Sequence, residues 1–373
     1  MSCRRRLGGP SILSKPPCGE PEVSVIVPTL NERDNIRPLY VGLKKSLEGA
    51  GLECFEIVFV DDSSTDGTIE EVERLSRSDP RVRLIVRRGE KGLSRAVLEG
   101  LRRARGRVAV VMDADLQHPP ETVPLLVEKV AGGEADLAVA SRYAPGGRVE
   151  GWSLVRRIIS RGAVLLAWLL IPESRRTRDP VSGFFAVNLE RVRPAIVSGR
   201  GFKILLEILY TNPYARVVDV PFTFRGRSRG SSKLGPSTIL DYLLQVLQLS
   251  SIPRFIAVGA LGSLVNLAVY TLAFSATGVH PLSSILGFEA GLIHNAILHD
   301  RITFRNRSMW RSHSFLRRLA KYHATSAAGI AVGVAASTIL YSLAGLHPLL
   351  SQALGIGAGF IVNFTLASRY IWR

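Results

Sequence analysis

Short apolar runs rich in β-branched residues alternate with stretches of helical character over the first 140 residues of the chain. The runs have the length and composition of buried strands. They lie at 23–27, 57–60, 82–86, 108–112 and 137–140. The first strand is predicted to end at Pro28, and a helix is predicted from about Asn35. Strands that alternate with helices predict an α/β fold with a mainly parallel sheet covered by helices.

Polar segments directly follow four of the predicted strands. They are PTLNE at 28–32, DDSS at 61–64, DADLQH at 113–118 and SRY at 141–143. In open α/β sheets, ligands bind beyond the carboxyl ends of the strands. We therefore expect the four segments to meet at one edge of the sheet and to form a binding site there.

The DAD segment is the main candidate for chemistry. Asp113 and Asp115 follow an apolar strand at spacing i and i+2, so both carboxylates can turn toward one pocket, and Gln117 adds another oxygen. Such ligands suit Mg²⁺ or Mn²⁺, which can neutralise a nucleotide diphosphate as it departs. The alternative is a solvated acidic turn. The buried strand before the segment and the nearby glutamine favour the metal site.

The acidic pair that follows the second strand has two interpretations. Asp62 can accept hydrogen bonds from a nucleobase or ribose, whereas the segment DSSTDGT also suits helix capping. We assign nucleotide binding to Asp62 and capping to residues 64–66. Glu32 has the same two interpretations, because NERDN also suits a helix start. His118 lies beside the DAD segment and is as compatible with packing as with a ligand contact.

Basic residues without acidic neighbours are candidates for phosphate contacts, since arginine offers a fork of donors and lysine a point charge. They are Arg142, Arg156, Lys203, Arg227, Arg229 and Lys233. For any one of them alone, a solvated surface position is the simpler interpretation. The run RGRSRGSSKLG at 225–235 concentrates four basic residues among glycines and serines. We interpret this run as a lid that a diphosphate orders.

Composition changes near residue 250, beyond which long apolar stretches predict a lipid-embedded part. The net charge of +17 fits nucleic acid, anionic lipid or phosphorylated ligands. No aromatic-interleaved basic stripe or zinc spacing is present, and much of the excess charge lies beside apolar segments. These features favour a membrane surface and phosphate ligands over nucleic acid. Three cysteines without CxxC spacing predict neither a disulfide framework nor a cysteine metal site.

Four apolar segments, at about 255–277, 281–298, 322–344 and 348–368, form an internal repeat. GVHPL at 278–282 recurs as GLHPL at 345–349, which predicts a duplicated hairpin of two membrane helices. Two further helices, at about 152–171 and 238–252, are too charged or too short to span and are predicted to lie in the membrane interface. The basic loop between the second and third segments predicts cytoplasmic termini and a cytoplasmic soluble domain.

Several of these segments together resemble the family-2 inverting glycosyltransferases, and among them the dolichyl-phosphate mannose synthases. The resemblance covers about 23–234 and rests on motifs in family order. They include VSVIVPTLNE, FVDDSSTDGT, VVMDADLQHPPE, DPVSGFFAV, GFKILLEIL and PFTFRGRSRGSSKL. The four apolar segments resemble GtrA-like membrane modules. The resemblance implies a Rossmann-like GT-A catalytic domain followed by a four-helix transmembrane domain.

The resemblance also implies roles for individual residues. The nucleoside pocket would be lined by Pro28, Leu30, Glu32, Val60 and Asp62. Metal and diphosphate would be held by Asp113, Ala114, Asp115 and Gln117. Donor phosphates would contact Lys203, Arg227 and Lys233, and the lipid phosphate would contact Arg142, Arg156 and Ser160. Leu30 stands where the family often has tyrosine, which removes an aromatic contact. The QxxRW signature of processive synthases is absent, which favours transfer of a single sugar.

The expected organisation has four parts. A disordered basic tail covers 1–21, the catalytic domain 22–235, a second interfacial helix and linker 236–253, and a transmembrane domain of four helices 254–373. The expected reaction is inverting transfer of one mannose from GDP-mannose to dolichyl phosphate at the cytoplasmic face of the cell membrane, with Mg²⁺ or Mn²⁺. The alternatives are glucosyl transfer from UDP-glucose to a polyprenyl phosphate, or a lipid-linked sugar flippase or membrane scaffold.

Overall fold

A computed structural model describes residues 19–89, 91–193, 203–226, 235–250, 252–298 and 315–370. The chain divides into two compact units, Met1–Leu249 and Ser250–Arg373. The predicted tail at 1–21 lies almost entirely outside the described residues. The second unit begins at Ser250, close to the point where the composition of the sequence changes.

The first unit is built around a seven-stranded sheet with the order β3-β2-β1-β4-β7-β5-β8. Its strands are β1 (Val23–Thr29), β2 (Phe55–Asp61), β3 (Val82–Val86), β4 (Val108–Val111), β5 (Leu137–Ser141), β7 (Phe185–Asn188) and β8 (Val217–Pro221). Only β7 runs antiparallel to its neighbours. A separate two-stranded sheet pairs β6 (Arg148–Val149) with β9 (Thr223–Phe224). The mainly parallel α/β sheet predicted from the sequence is confirmed, and the carboxyl ends of β1, β2, β4 and β5 share one edge.

The prediction that β1 ends at Pro28 is wrong, since the strand continues to Thr29. Pro28 pairs in register with Val60 of β2, whereas the pairing of β1 with β4 stops at Ile26. Beyond Ile26 the strand has a ladder partner on one side only. A residue without an N–H is tolerated there for the same reason that proline is tolerated on edge strands.

Helices cover both faces of the sheet. They are α1 (Arg33–Gly49), α2 (Thr68–Ser78), α3 (Leu93–Arg103), α4 (Val123–Ala131), α5 (Leu154–Leu170), α6 (Ile204–Thr211) and α7 (Pro236–Leu249). One core cluster joins α1 and α4 to the sheet through fully buried residues such as Leu39 and Leu126. The second joins α3 and α6 to the opposite face through Val97 and Leu205. Burial of apolar area on both faces is the main stabilising term for this layer arrangement.

The helices α5 and α7 correspond to the two predicted interfacial helices. They pack together in a third cluster, in which the Tyr242 hydroxyl donates to the Ala163 carbonyl at 2.6 Å. Their other faces leave large apolar side chains exposed: Leu154, Val155, Ile158, Leu165 and Leu169 on α5, and Leu240, Leu243 and Leu247 on α7. Contiguous exposed apolar surface of this kind marks a site of interaction with membrane or protein.

The second unit contains α8 (Ile252–Thr277), α9 (His280–Leu298), α10 (Phe315–Ser342) and α11 (Pro348–Tyr370). By length and composition, Ile256–Thr277 is the one helix among the described residues that is apolar enough to cross a membrane. Ser326–Ser342 and Pro348–Asn363 are shorter apolar segments. Four helices are observed among the described residues of this unit, so the predicted count of four membrane spans is confirmed in part, and α10 begins earlier than residue 322.

The predicted internal repeat is visible in the geometry of the second unit. Gly278 and Gly345, which begin the two repeated turns, have φ of +65° and +63°, a left-handed conformation that favours glycine. Two glycine–asparagine contacts also recur. A Cβ atom at Gly262 would lie 2.1 Å from Asn295 Oδ1, and one at Gly329 would lie 2.2 Å from Asn363 Oδ1. Each hairpin therefore brings its two helices together at a glycine.

Cys54, which precedes β2, is disulfide-bonded. The other two cysteines, Cys3 and Cys18, lie outside the described residues. A single bond is not a disulfide framework, so the expectation drawn from the cysteine count and spacing is not contradicted.

Candidate active site

The DAD loop begins where β4 leaves the sheet. The Met112 N–H still donates to the Ile26 carbonyl at 3.1 Å, and the chain then turns away. The Asp113 side chain is 40% exposed, whereas Asp115 is buried, with 8% exposure. Leu116 has a φ of +62°, an uncommon conformation for a branched residue. The loop therefore presents one carboxylate to solvent and holds the other within the site.

His118 stabilises the DAD loop through a hydrogen bond to its backbone. Its Nδ1 accepts a hydrogen bond from the Asp113 N–H at 3.0 Å, and its Nε2 lies 3.8 Å from Asp113 Oδ2. The ring stacks on Phe184 with centroids 4.9 Å apart. Burial lowers the pKa of His118, although the charges of Asp113 and Asp115 oppose this shift. A neutral ring with an Nε2 proton fits this arrangement, in which the His118 side chain is buried and packed.

Gln117 joins the DAD loop to the described base of the predicted lid. Its Nε2 donates to the Arg225 carbonyl at 3.0 Å, and the Arg225 N–H donates to the Gln117 carbonyl at 3.1 Å. The Arg225 side chain in turn pairs with Glu121. The candidate lid residues Arg227, Arg229 and Lys233 lie outside the described residues.

The fit of a divalent cation depends on Asp113 and Asp115. No group of three or more His, Cys, Asp or Glu side chains that could hold a metal exists among the residues that the structure describes. Mg²⁺ is commonly held by one or two carboxylates together with substrate phosphates and water. Two carboxylates on one short loop, one of them exposed, fit such a shared site rather than an all-protein cage.

The acidic residues after β2 have separate partners. Asp61 is fully buried and accepts from the hydroxyls of Thr29 and Ser64 at 2.9 and 2.6 Å, so it fixes the ends of β1 and β2. Asp62 accepts from the Gly92 N–H at 2.7 Å and pairs with Arg87. The nucleotide residue predicted at position 62 is thus held in place by two neighbouring segments.

The capping prediction for residues 64–66 is wrong about the position, because Gly67 is the N-cap of α2. Asp66 accepts from the Thr68 N–H at 3.0 Å, at the start of α2. Ser64 instead accepts from the Asn31 N–H at 2.8 Å, so it ties the PTLNE segment to the DDSS segment. Glu32 accepts from the Asn35 side chain at 2.7 Å near the start of α1.

The remaining residues predicted to bind the donor differ in exposure. Pro28 and Val60 are buried in adjacent strands, and Ala114 is buried within the DAD loop. Leu30 is partly exposed at the edge of the sheet. With its side chain in the core, Val60 has only its backbone to offer to a nucleoside.

Two cations lie on the DAD side of the sheet edge. Arg142 follows β5 and forms a bidentate pair with the fully buried Asp179. Lys203 precedes α6, and burial together with the charge of Arg142 lowers its pKa, while Asp113 and Asp179 oppose the shift. The charged groups that act on this lysine belong to the DAD loop and to the Arg142–Asp179 pair.

The predicted acceptor residues of α5 lie beside the same group. The Arg156 guanidinium carbon is 4.4 Å from the centroid of the Trp152 ring, and that of Arg142 is 5.3 Å from the same ring. Ser160 accepts a hydrogen bond from the Tyr143 hydroxyl at 2.8 Å. Arg142 and Arg156 therefore share the Trp152 ring, and Arg142 also lies 5.4 Å from the ring of Tyr143, which binds Ser160.

Sequence reasoning missed three buried residues that hold this side of the site, namely Asp179, Glu207 and Gln245. The segments DPVSGFFAV and GFKILLEIL contain the first two, and an acidic residue in an otherwise apolar run is a signal of a buried polar role. Gln245 carries no comparable signal, because α7 also carries other polar residues such as Gln248.

Comparison with known protein families agrees with this geometry. A family model described as glycosyl transferase family 2 matches residues 24–187, and one described as the GtrA/DPMS transmembrane domain matches residues 254–372. A GT-A-like sheet with a DAD loop at its carboxyl edge defines the chain as a family-2 glycosyltransferase, an enzyme. Its transmembrane domain makes it a membrane-associated protein.

Individual relatives narrow the class. Dolichol-phosphate mannosyltransferase from Pyrococcus furiosus is 40% identical over 358 residues, which cover 94% of this chain and 99% of that protein. The protein of the same name from Saccharomyces cerevisiae is 44% identical over 237 residues, which cover 61% of this chain and 86% of that protein. The chain belongs to the dolichol-phosphate mannosyltransferase family. Among solved structures, glucosyl-3-phosphoglycerate synthase from Mycobacterium tuberculosis with phosphoglyceric acid matches at 23% identity and a TM-score of 0.47, covering 61% of this chain and 80% of that chain.

Proposed function

We propose that the protein transfers one mannose from GDP-mannose to dolichyl phosphate or a related polyprenyl phosphate, with inversion at the anomeric carbon. The observation that carries this proposal is that the DAD loop after β4 and the Arg142–Asp179 pair after β5 lie at the same edge of the sheet. Carboxylates that suit a metal-bound diphosphate and cations that suit an acceptor phosphate share one edge of the sheet. Membership in the mannosyltransferase family supports mannose as the sugar.

The donor would occupy the DAD side of this edge. Asp113 and Asp115, with Gln117 beside them, would hold a Mg²⁺ or Mn²⁺ ion, which supplies positive charge to the departing nucleoside diphosphate. Lys203, with Arg227 and Lys233 of the lid, would contact the donor phosphates. Asp62 and Glu32 would bind the nucleoside, with Pro28, Leu30 and Val60 lining the pocket, and Ala114 would lie beside the diphosphate.

The acceptor needs no strong base. A lipid monophosphate carries about −1.5 to −2 charge near neutral pH, so its oxygen attacks the anomeric carbon without first losing a proton to the protein. Nε and Nη2 of Arg142 donate hydrogen bonds to Asp179, and Nη1 would donate to the acceptor phosphate. Arg156 and Ser160 on α5 complete this subsite. Orientation of the two charged reactants is then the main contribution of the chain.

The exposed apolar faces of α5 and α7 support a position in the membrane interface. Leu154 and Ile158 are 73% and 62% exposed, and both precede or flank the acceptor residues on α5. Seating this face among lipid headgroups would bring the phosphate of a membrane lipid to Arg156. In this arrangement the protein crosses the membrane four times, and the catalytic unit lies on the cytoplasmic face, where the basic segment at 301–321 also lies.

One assay tests the proposal. The full-length protein in liposomes is supplied with a polyprenyl phosphate and Mg²⁺ or Mn²⁺, and GDP-mannose and UDP-glucose are offered in parallel. We expect transfer of a single mannose from GDP-mannose and loss of transfer with a chelator. Transfer from UDP-glucose alone would support the glucosyl alternative. Transfer from neither donor would contradict the proposal and would return attention to a flippase or scaffold.

A further inference from the structure

A glutamine on α7 holds the backbone of Lys203 at both of its polar groups. Gln245 Oε1 accepts from the Lys203 N–H at 3.0 Å, and Gln245 Nε2 donates to the Lys203 carbonyl at 3.0 Å. The same Nε2 donates to Glu207 Oε1 at 2.9 Å. Because these bonds hold both the N–H and the C=O of one residue, they restrict its translation and its rotation together.

This contact is buried, so it is costly to lose. Gln245 is 1% exposed and Glu207 is fully buried. Removal of the amide would leave the Lys203 N–H and the Glu207 carboxylate without this partner, away from water. Buried polar networks that are satisfied hold their members in one arrangement.

The position of Lys203 matters because of the charges around it. The same groups that shift its pKa, Asp113, Asp179, Arg142 and Arg156, belong to the DAD loop and the proposed acceptor subsite. A lysine acts on phosphates as a point charge, so its effect depends on where its ammonium group lies. A displacement of about 1 Å in a catalytic group can cost about 100-fold in rate.

The helix that carries Gln245 has two other connections. It begins at Pro236, directly after the lid segment, and it ends at Leu249, where the first unit ends. Its side chains Leu240, Leu243 and Leu247 form part of the exposed apolar surface. One face of α7 thus reaches the active-site lysine, while another face is available to the membrane.

We propose that Gln245 is a positioning residue for sugar transfer, which sets the place of Lys203 relative to the DAD carboxylates. This inference rests on the proposed function, in which Lys203 contacts the donor phosphates. A packing residue would affect the reaction through the stability of the whole domain. Gln245, by contrast, affects the reaction only through the position of the Lys203 side chain.

A double-mutant cycle on the full-length protein in liposomes tests the inference. The variants are Gln245→Met, Lys203→Met and the double variant, with Gln248→Met on the exposed side of α7 as the matched control. Methionine keeps the length of the side chain and removes the amide. We expect Gln245→Met to lower kcat/KM for the donor about 10- to 100-fold in the presence of Lys203, and less than about threefold in the Lys203→Met background. Gln248→Met should retain wild-type activity.

A structural role alone would give a different pattern. Losses that multiply in the double variant, or an equal loss in Gln248→Met, would overturn the inference. If Gln245→Met does not fold, as judged by its thermal denaturation, Gln245→Asn keeps the amide but shortens its reach and should show the same dependence on Lys203. Inactivity of the wild-type protein with every donor would count against the proposed function instead, so the two failures are distinguishable.

Discussion

The guanidinium of Arg142 lies against the carboxylate of Asp179, with Nε 2.7 Å from Oδ2 and Nη2 2.7 Å from Oδ1. The Arg142 N–H also donates to Oδ2 at 3.1 Å. The side chains are 10% and 0% exposed. Paired donors in a planar fork fix the orientation of arginine as well as its position. The residue assigned to the acceptor phosphate is therefore oriented before any acceptor arrives.

Replacement of this carboxylate should affect both stability and acceptor binding. Asp179→Asn leaves a buried guanidinium without its counter-charge, which we expect to cost about 3 kcal/mol in free energy of unfolding. Because Arg142 would lose its fixed orientation, the KM for polyprenyl phosphate should rise as well. Thermal denaturation in detergent and initial rates at varied acceptor concentration measure the two effects.

Asp136→Asn is the matched control for that experiment. Asp136 pairs with two half-exposed arginines, Arg191 and Arg216, and it precedes β5 at the end of the strand opposite Arg142. Its replacement should leave the KM for the acceptor unchanged. An acceptor KM that rises equally in both variants would mean that Asp179 acts through general stability.

The lowered pKa of Lys203 predicts an alkaline limit to activity. Burial and the charge of Arg142 favour the neutral amine, so the ammonium form is lost at a pH below the ordinary lysine value of 10.5. Because phosphate binding needs the charged form, kcat/KM for the donor should fall as the pH rises through this lowered pKa. Activity below it should be retained. A pH profile of kcat/KM reports the free enzyme and measures this limb.

Lys203→Arg separates this lysine from other groups that titrate at alkaline pH. Arginine stays charged throughout the accessible range, so the alkaline limb should move to higher pH even if the maximal rate is lower. An unchanged limb in this variant would assign the titration to another residue.

The convergence of the polar segments on one edge of the sheet could be anticipated from the sequence, because it depends on local patterns. Apolar runs of strand length followed by polar segments placed Asp62, Asp113 and Arg142 at carboxyl ends of strands before any contact was known. The internal repeat could also be predicted from the sequence, because the turn motif that begins at Gly278 recurs at Gly345.

The contacts that hold these residues could not be anticipated in the same way. Arg142 meets Asp179 across 37 positions, and Lys203 meets Gln245 across 42. No local periodicity encodes such pairs, because they depend on how β7 and α7 fold back against the sheet edge. Burial of Val60 and the continuation of β1 through Pro28 likewise follow from neighbouring strands rather than from propensity.

The DAD loop gives a direct test of metal dependence. Asp115→Ala removes the buried carboxylate of the pair, and we expect turnover to fall about 100- to 1,000-fold, with no recovery as Mg²⁺ or Mn²⁺ is raised. Titration of the metal against initial rate measures the effect. Glu134→Ala, which removes an exposed surface pair with Lys129, should behave as wild type. Near-normal turnover of Asp115→Ala would contradict the assignment of this loop.

Because Gly262 lies close to Asn295, we expect any larger side chain at position 262 to destabilise the second unit. An added Cβ would lie 2.1 Å from Asn295 Oδ1, which is closer than any van der Waals contact. Gly262→Ala must therefore displace the asparagine or separate α8 from α9, at a cost of about 1–3 kcal/mol. We expect a lower thermal denaturation temperature for the full-length protein in detergent, and Gly329→Ala should behave similarly against Asn363 in the repeat.

Two companion variants identify the clash as the cause of that destabilisation. Gly259→Ala places a methyl group on the same helix where nothing lies within 4 Å, so it should leave the denaturation temperature unchanged. Asn295→Ala in the Gly262→Ala background removes the side-chain amide that clashes with the added methyl group. This double variant should recover most of the lost stability. If Gly262→Ala is as stable as Gly259→Ala, the helices of the first hairpin do not approach at this glycine. Because Gly329 and Asn363 repeat the contact, the same pair of outcomes in the second hairpin would show whether the duplication preserves the packing as well as the sequence.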